Sequence, residues 1–568
     1  MWGLDLPAKL GWQIYQEQFI AALLGLALAI AFLRRVSVSN LVLAALGALA
    51  GLWLAVRYPP LQADVIGHPV ESLLLSVVLL VLTMEACRRS AGVALTVVFA
   101  FFFAWALVGH LLPGMLQTRQ VGLSRLLPYL ALDTSSMLGQ ALIIAATTVI
   151  AFMFFGRVLQ ACGGADFFTD ISTSLFGRYR GGTGKVEVVA SALFGTISGS
   201  AVANVMSTGI ITIPNMKKAG YPREMAGGVE AVSSTGGQIM PPVMGAAAFL
   251  MAENLQVRYA EVALAALVPA LLFYVSVFVQ VDLEAARRRI GGLDPSTLPR
   301  AGDVLRRGWF FCVPFAALFY LMFARDLQAE ESVLLGVAAM LPFAFFIGYG
   351  GRRLTFGGLL RAVADTGKDA MEILVICAVA GVVIGLLNIT GLALGLSLTL
   401  VHLGQGSVAL LLLAVAVMCI LLGMGLPTTG VYLLVAVLAA PPLVQLGVAP
   451  LAAHMFVFFY GCLSMITPPV AMAAFAAAHI AGASPMRVAL AACRLGWPAF
   501  VLPFLFAASP ALLLSGDPLR VTLAVAAAIA GVWLGSAAIS GYLLRDLQPA
   551  ARASLGAAAG ALLYLSTL

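Results

Sequence analysis

Two short stretches decide how this chain folds: GGQIMPPVMG at residues 236–245 and MITPPV at residues 465–470. Each carries the pattern Ile-x-Pro-Pro-Val inside a long apolar segment. Proline lacks a backbone N–H and clashes with the preceding turn of a helix, so two consecutive prolines interrupt a helix strongly. The same interruption in two apolar segments therefore predicts a pair of broken helices.

The composition indicates a membrane protein. Of the 568 residues, 62% are hydrophobic and 10% are charged, whereas soluble proteins carry about a quarter charged residues. Apolar runs of about 20 residues, long enough to cross a bilayer core of about 30 Å, recur along the chain. In lipid only helices and closed barrels satisfy their own backbone groups, and the alternating pattern of a barrel is absent. We therefore expect an all-α polytopic membrane protein without a cleaved signal peptide.

Basic residues orient the spans, because cytoplasmic loops carry an excess of Lys and Arg. Arg34-Arg35 and Arg88-Arg89 predict cytoplasmic loops and place the N-terminus outside. The segment 186–213 is apolar but has basic residues on both flanks, so it is predicted to be a re-entrant hairpin. The segment 408–441 has no charge on either flank and is predicted to be a second hairpin that enters from outside.

The two halves repeat one another in inverted orientation. The separation from Gly199 to Pro241 nearly equals that from Gly425 to Pro468. The first half begins outside and the second begins inside, which is typical of an inverted repeat with a binding site near the membrane midplane. The expected regions are a four-helix scaffold (1–115), the first repeat with its hairpin (120–350), the second repeat with its hairpin (351–514) and a two-helix extension (515–568).

Broken helices expose backbone groups that a ligand can satisfy. Carbonyl-rich helix ends suit a hard cation such as Na⁺, whereas the N-termini of half-helices suit a carboxylate. Polar side chains and glycines surround both breaks, although prolines, glycines and hydroxyl side chains also serve helix packing alone. These candidates are Ser198, Gly199, Ser200, Asn204, Ser233, Ser234, Thr235, Gly236 and Gly237 in the first half, and Gly423, Gly425, Thr428, Thr429 and Thr467 in the second.

Charge is sparse near the predicted site. Residues 373–486 contain no Asp, Glu, Lys or Arg, so this half offers an anion no fixed cation, and we expect a pocket without arginine. Glu230 is expected at the cytoplasmic end of its helix, with a proton or cation role as the alternative. His454 and Tyr460 are expected in the core, with a substrate role as the alternative. No nucleophile–base pair, carboxylate dyad or metal-ligand set is expected, which argues against an enzyme.

The stretch GTISGSAVANVMSTGIITIPNMKKAGYPREMAGGVEAVSSTGGQIMPPVMGAAAFLMAE (195–253) resembles the large membrane subunit of tripartite ATP-independent periplasmic (TRAP) transporters. Within that family the chain is most similar to the TAXI-type branch, in which the small and large membrane subunits are fused. The resemblance covers about 120–510. It implies a Na⁺-driven elevator that imports carboxylates across the bacterial inner membrane, with substrate delivered by a periplasmic solute-binding protein and no other cofactor.

The resemblance also implies ligand sets. Sodium is expected at Ser198, Gly199, Asn204 and Thr235–Gly237, and again at Gly425, Thr428, Thr429 and Met465–Thr467. Substrate is expected between the hairpin tips, at Ser200, Ser234, Gln238, Pro241, Pro242, Thr429, Pro468 and Tyr460. The identity of the substrate and the choice between Na⁺ and H⁺ stay open. The alternatives are a stand-alone dicarboxylate–sodium symporter, an intramembrane enzyme and a channel.

Overall fold

The chain is described by a computed structural model. It describes residues 7, 11–12, 14–35, 37–63, 69–114, 117–404 and 407–568. His68 and the expected boundary at residue 115 lie outside the described residues. Within them, 11 helices are long and apolar enough to cross a membrane, or 12 if one bent pair counts as a single span. The prediction of an all-α polytopic membrane protein is therefore confirmed.

Four helices precede the first repeat. Their bounds are α1 Gln16–Leu33, α2 Val38–Ala63, α3 Pro69–Ser90 and α4 Val93–Val108. The first two cross closely, because a Cβ on Gly25 would lie 2.9 Å from the Cα of Gly51. Small residues allow this kind of backbone approach in membrane helices. Helices α1, α3 and α4 also pack against the long helix Phe356–Thr390 of the second half.

The first repeat contains a hairpin and a broken helix. The helices of this repeat are α5 Leu123–Leu132, α6 Gln140–Ala161, α7 Gly164–Phe176, α8 Gly182–Ser198, α9 Ala201–Lys218, α10 Arg223–Gly236, α11 Ala246–Leu255, α12 Tyr259–Arg288, α13 Ala301–Ala324 and α14 Ala329–Phe346. Helices α8 and α9 form hairpin 1, whose tip is Gly199–Ser200. Gly199 adopts a left-handed φ of 61° that favours glycine. Helix α7 connects α6 to hairpin 1, and the sequence analysis did not predict it.

The second repeat follows the same plan. Its helices and those of the extension are α15 Phe356–Thr390, α16 Leu392–Gly404, α17 Val408–Leu422, α18 Thr428–Gln445, α19 Pro450–Leu463, α20 Met472–Ala481, α21 Pro485–Leu495, α22 Pro498–Ala508, α23 Pro518–Ser540 and α24 Pro549–Leu565. Helices α17 and α18 form hairpin 2. The bent pair is α21 and α22, which meet at 41°. The apolar stretch 371–403 is divided between two helices, α15 and α16, because Gly391 ends the first with a left-handed φ of 72°.

Both predicted breaks are present. The first separates α10 from α11, the second separates α19 from α20, and each contains a cis Pro–Pro bond, Pro241–Pro242 and Pro468–Pro469. The halves interlock, since α10 packs against α20 and α21 while α11 packs against α18 and α19. The long helix α15 is central and contacts α1, α4, α6 and α18. Residues from both halves are thereby brought to one place.

Candidate functional site

The tip of hairpin 1, the first break and the start of α18 enclose a cavity of about 310 Å³. This volume lies at the lower end of the range for small-molecule sites. Six of the residues predicted for the site line this cavity: Ser198, Gly199, Ser200, Gln238, Thr428 and Thr429. The structure thus brings together residues that lie more than 200 positions apart in the sequence.

Three helix N-termini end at this cavity. Ser200 caps α9, Gly245 caps α11 and Pro427 caps α18, and all three residues line the cavity. The first turn of a helix has backbone N–H groups without partners inside the helix and a partial positive charge. Three such ends on one cavity favour an anion. Two of these helix N-termini exist because the helices are interrupted: α9 begins after the tip of hairpin 1, and α11 begins after the first Pro-Pro break.

Arginine is present at the cavity, contrary to the expectation that the pocket has none. Arg157 on α6 lines the cavity, and so does Arg34 at the end of α1. The Nε atom of Arg157 donates to Oδ2 of Asp369 on α15 at 2.8 Å, and the Arg157 side chain remains 38% exposed. The sequence analysis did not predict Arg157 at the site, because its approach to α15 depends on the packing of the two halves.

Gln238 joins the two halves at the cavity. Its amide nitrogen donates to the carbonyl oxygen of Gly199 at 3.2 Å, and its amide oxygen accepts from the Thr428 hydroxyl at 3.0 Å. Both partners belong to hairpins, one from each repeat. A buried amide with both ends bonded fixes the relative positions of its partners, because leaving either unsatisfied is costly. This residue therefore bridges the tip of hairpin 1 and the start of α18.

Ser198 has a side-chain oxygen that could bind a cation. Its hydroxyl oxygen is buried and makes no hydrogen bond in the described part of the chain. It lies at the C-terminal end of α8, where helix carbonyls and the negative end of the helix dipole point. A buried unsatisfied oxygen next to carbonyls fits a hard cation, whose ligands are oxygens. The residues at this end of α8 therefore suit Na⁺.

Asn204 is separated from the cavity and takes part in another network. It is fully buried, and its amide nitrogen donates to the carbonyl oxygen of Ser191 at 3.1 Å and to its hydroxyl at 2.9 Å. The hydroxyl of Ser191 lies 3.1 Å from that of Ser234. Because these groups bond with one another between α8, α9 and α10, Asn204 and Ser234 do not line the cavity, contrary to the expected common site.

Several predicted residues of the first break support the backbone instead of facing the cavity. Gly195 and Gly237 are in close contact, since a Cβ on Gly195 would lie 2.6 Å from the Cα of Gly237. Thr235 donates to the carbonyl of Ala231 at 2.8 Å, and the carbonyl of Pro242 accepts from Tyr259 at 2.9 Å. The remaining residues predicted in this stretch, Gly236 and Pro241, are also absent from the cavity lining.

The second break lies away from the cavity as well. Thr467 donates to the carbonyl of Leu463 at 2.7 Å, and the carbonyl of Met465 accepts from the N–H of Ala473 at 3.0 Å. Gly425 lies near Ala94 of α4. The structure therefore does not join Met465, Thr467, Pro468 or Gly425 to the cavity that contains Thr428 and Thr429.

Tyr460 packs in the core. Its hydroxyl donates to the carbonyl of Phe500 at 2.7 Å, and its ring contacts Phe456 and Phe504. The aromatic cluster directs the side chain toward α22, so Tyr460 does not line the cavity, and its expected substrate role stays a prediction. His454 also lies in the core, where its Nδ1 atom is 2.8 Å from the Tyr432 hydroxyl.

Glu230 differs most from its expected place. It lies in the middle of α10, is fully buried, and accepts hydrogen bonds from Thr208, Thr212 and Ser234. Its carboxyl group contacts that of Glu187, which is also fully buried. The sequence analysis expected no carboxylate dyad, because the two residues are 43 positions apart and meet only when hairpin 1 packs on α10. This pair lies in the network of Asn204, apart from the cavity.

Comparison with known proteins agrees with this architecture. Residues 77–516 match the family described as Tripartite ATP-independent periplasmic transporter, DctM component. The chain is 23% identical over 392 residues to the C4-dicarboxylate TRAP transporter large permease protein DctM of Pseudomonas aeruginosa, covering 68% of this chain and 90% of the relative. It is 23% identical over 320 residues to the 2,3-diketo-L-gulonate TRAP transporter large permease protein YiaN of Escherichia coli, covering 56% and 74%.

A third relative is the sialic acid TRAP transporter permease protein SiaT of Haemophilus influenzae, 25% identical over 232 residues that cover 40% of this chain and 37% of the relative. The family match begins inside α3 and continues through both repeats to residue 516, leaving α1, α2, α23 and α24 outside it. The matched part contains both hairpins, both breaks and most of the cavity wall. The chain belongs to the TRAP transporter family, as a membrane component of the DctM type.

Proposed function

We propose that this chain imports small organic acids across the bacterial inner membrane, using a Na⁺ gradient and a separate periplasmic solute-binding protein. The observation that carries the proposal is the convergence of three helix N-termini and Arg157 on one cavity of about 310 Å³. Both features favour a carboxylate, through backbone N–H groups and through a guanidinium fork. The family is one of transporters, so the chain is a transport protein and not an enzyme.

The substrate class rests on charge and on the relatives. The relatives carry the names of C4-dicarboxylate, 2,3-diketo-L-gulonate and sialic acid transporters. In this chain one carboxylate would lie at the N-termini of α9, α11 and α18, with Ser200 and Thr429 as hydrogen-bond donors. A second carboxylate would approach Arg157 in place of part of its bond with Asp369. A dicarboxylate is therefore the first substrate to test.

The Na⁺ sites are proposals of the same kind. The first would use Ser198 and the carbonyl groups at Gly199, supported by the unpaired Ser198 hydroxyl. The second would use the hairpin 2 tip with Thr428 and Thr429. Sodium bound beside each hairpin tip would offset the negative charge of the substrate, so that ion and substrate bind together. This mutual stabilisation would couple sodium movement to uptake.

The cavity also suggests how access alternates. Arg34 and Arg157 line it, and the basic-residue pattern predicts that Arg34 lies on the cytoplasmic side, with the N-terminus outside. We infer that the hairpins and broken helices move as an elevator against a scaffold, to which α1–α4 would contribute as a fused small subunit of the TAXI type. Gln238 would keep the hairpin tips together during this movement.

Uptake into proteoliposomes tests the proposal. The purified chain is reconstituted and supplied with radiolabelled C4 and C5 dicarboxylates, with or without an inward Na⁺ gradient and with or without a periplasmic solute-binding protein from the same organism. We expect uptake only when both sodium and binding protein are present. Uptake without the binding protein would instead support a stand-alone symporter, and uptake driven equally by a proton gradient without sodium would contradict Na⁺ coupling.

A further inference from the structure

Hairpin 1 and the first broken helix enclose two carboxyl groups in contact. Glu187 is on α8 and Glu230 on α10, and both side chains are 0% exposed. The backbone of α9 closes over them, because a Cβ on Gly209 would lie 3.1 Å from the carboxyl carbon of Glu230. Two ionised carboxylates in contact and away from water would repel strongly, so such a pair holds either a proton or a cation.

The hydrogen bonds distinguish the two carboxyl groups. Glu230 Oε1 accepts from the hydroxyls of Thr208 at 2.7 Å and Ser234 at 3.1 Å, and Oε2 accepts from Thr212 at 2.6 Å. The Thr212 and Ser191 side chains lie beside Glu187, but neither of its carboxyl oxygens accepts a well-aligned hydrogen bond within the described residues. Three donors stabilise a carboxylate, whereas a buried carboxyl group without donors favours its neutral form. The geometry therefore assigns the charge to Glu230.

The surrounding charges do not neutralise the pair. Tyr274 on α12 faces Glu187, and its hydroxyl donates to the carbonyl of Ser233 at 2.7 Å. Most of the other ionisable groups on the neighbouring helices bond elsewhere: Lys185 with Asp282, Lys217 with the carbonyl of Ala481, Arg157 with Asp369, Arg352 with Asp166, Tyr349 with Asp170, Arg288 and Arg494 with Glu284, Arg487 with Glu224, and His454 with Tyr432. Lys218, Arg223 and His479 stand at helix ends.

We propose that Glu187 and Glu230 form a proton-binding site, in which Glu187 carries the proton and donates it in a hydrogen bond to the ionised Glu230. The shared proton joins α8 of hairpin 1 to α10 of the broken helix. Release of the proton to water leaves two adjacent negative charges, which repel and separate these helices. Proton release therefore accompanies any opening of hairpin 1 away from α10. This site does not depend on which ion drives transport.

Infrared spectroscopy of the purified full-length protein tests the assignment directly. A protonated carboxylic acid has a C=O stretching band that a carboxylate lacks. At neutral pH we expect this band in the unmodified protein and in Glu224→Gln, whose substituted residue lies on the same helix but reaches solvent. We expect the band to be absent in Glu187→Gln, which keeps the shape and the hydrogen-bond donor but cannot ionise. An unchanged band in Glu187→Gln would overturn the proposal.

A titration of the unmodified protein keeps the test independent of how the variants fold. The band should persist at a pH where exposed glutamates are ionised and should not change when Na⁺ is added at constant pH. Loss of the band on adding Na⁺ would overturn the proposal by assigning the site to the cation. As pH rises, the melting temperature of the unmodified protein should fall relative to that of Glu187→Gln, because only the unmodified protein can lose this proton. Parallel melting curves would count against the site.

Discussion

The two broken helices share a sequence pattern, a cis Pro–Pro bond and a preceding hairpin, yet their surroundings differ. The first break contributes Gln238 and the start of α11 to the cavity, whereas the second packs against α21, with Cys493 donating to the carbonyl of Ile466 at 3.3 Å. Around the first break the buried groups are carboxyls, hydroxyls and amides. Around the second they are mainly aromatic rings. The same backbone arrangement, a helix broken at a cis Pro–Pro bond, therefore has polar surroundings in the first half and mainly aromatic surroundings in the second.

This difference follows from the residues that face each break. In α10 the sequence REMAGGVEAVSSTG places Glu230, Ser233 and Ser234 in the interior. In α19 the sequence PLAAHMFVFFYGCL places Phe456, Phe459 and Tyr460 there. Hydrogen-bonded polar groups specify exact partners and respond to protons or ions, whereas aromatic packing supplies stability without such a response. We infer that the first repeat supplies most of the buried polar network, while the second adds Thr428 and Thr429 to the cavity and much of the aromatic packing.

In both halves a glycine in a hairpin packs closely against the neighbouring broken helix. Replacing these glycines tests how much that close packing matters. Gly195→Ala would place a Cβ 2.6 Å from the backbone of Gly237, and Gly423→Ala would collide with the side chain of Ser464. We expect each substitution to destabilise the protein by about 1–3 kcal/mol through overpacking and to abolish uptake. Melting temperature in detergent and uptake into proteoliposomes measure the two effects.

The control for this pair is Gly430→Ala in α18. The nearest atom to its new Cβ would be Cγ2 of Ile376 at 3.5 Å, an ordinary contact. This variant should be as stable as the unmodified protein or more stable, since alanine favours a helix over glycine by about 1 kcal/mol. If all three variants behave alike, the close contacts at Gly195 and Gly423 are not what limits stability.

The halves differ in charge, because residues 373–486 contain no Asp, Glu, Lys or Arg. Substituting Arg157 tests how much a positive charge at the cavity contributes to substrate binding. Arg157→Gln removes one of the two arginine charges at the cavity, since Arg34 remains, and keeps hydrogen-bond donors toward Asp369. We expect the affinity for a dicarboxylate to fall by about tenfold or more, because a charge-assisted hydrogen bond is worth about 1.5–3 kcal/mol. Initial uptake rates against substrate concentration measure the change in KM.

The matched control is Arg258→Gln, which removes an arginine bonded to Asp326 outside this cavity. Its KM should remain that of the unmodified protein. An Arg157→Gln variant with an unchanged KM would show that the helix N-termini bind the substrate without the guanidinium.

Gln238 is hydrogen-bonded to both halves, so substituting it tests whether the two repeats stabilise one another. Gln238→Leu leaves the Thr428 hydroxyl and the Gly199 carbonyl without this partner, at a cost of about 1–3 kcal/mol for buried groups. A double-mutant cycle with Thr428→Val should give a coupling energy of about 0.5–3 kcal/mol in the free energy of unfolding. Additive effects would mean that the bridge does not couple the repeats.

Tyr460→Phe is expected to have the smallest effect. It removes the hydroxyl that donates to Phe500 but keeps the aromatic cluster. We expect a loss of about 1 kcal/mol in stability, with the KM for substrate unchanged. A clear rise in KM would restore Tyr460 to the substrate site and weaken the contrast between the repeats.

The sequence by itself determined the helical membrane architecture, both hairpins and both breaks. These features depend on local chemistry: proline removes a helix donor, glycine permits a left-handed turn such as that at Gly199, and apolar length sets membrane spans. The sequence therefore located the hairpin tips and the Pro-Pro breaks, and six of the predicted site residues line one cavity.

Tertiary structure alone decided which of these residues meet. Arg157 contacts Asp369 across 212 positions, Gln238 reaches Thr428 across 190, and Glu187 meets Glu230 only where α8 packs on α10. Asn204 and Tyr460 lie away from the cavity, because the packing of the helices places them next to other partners, Ser191 and Phe500. The physical reason is that a helix break is encoded by the residues at the break, whereas a contact between helices depends on the packing of the whole interlocked fold.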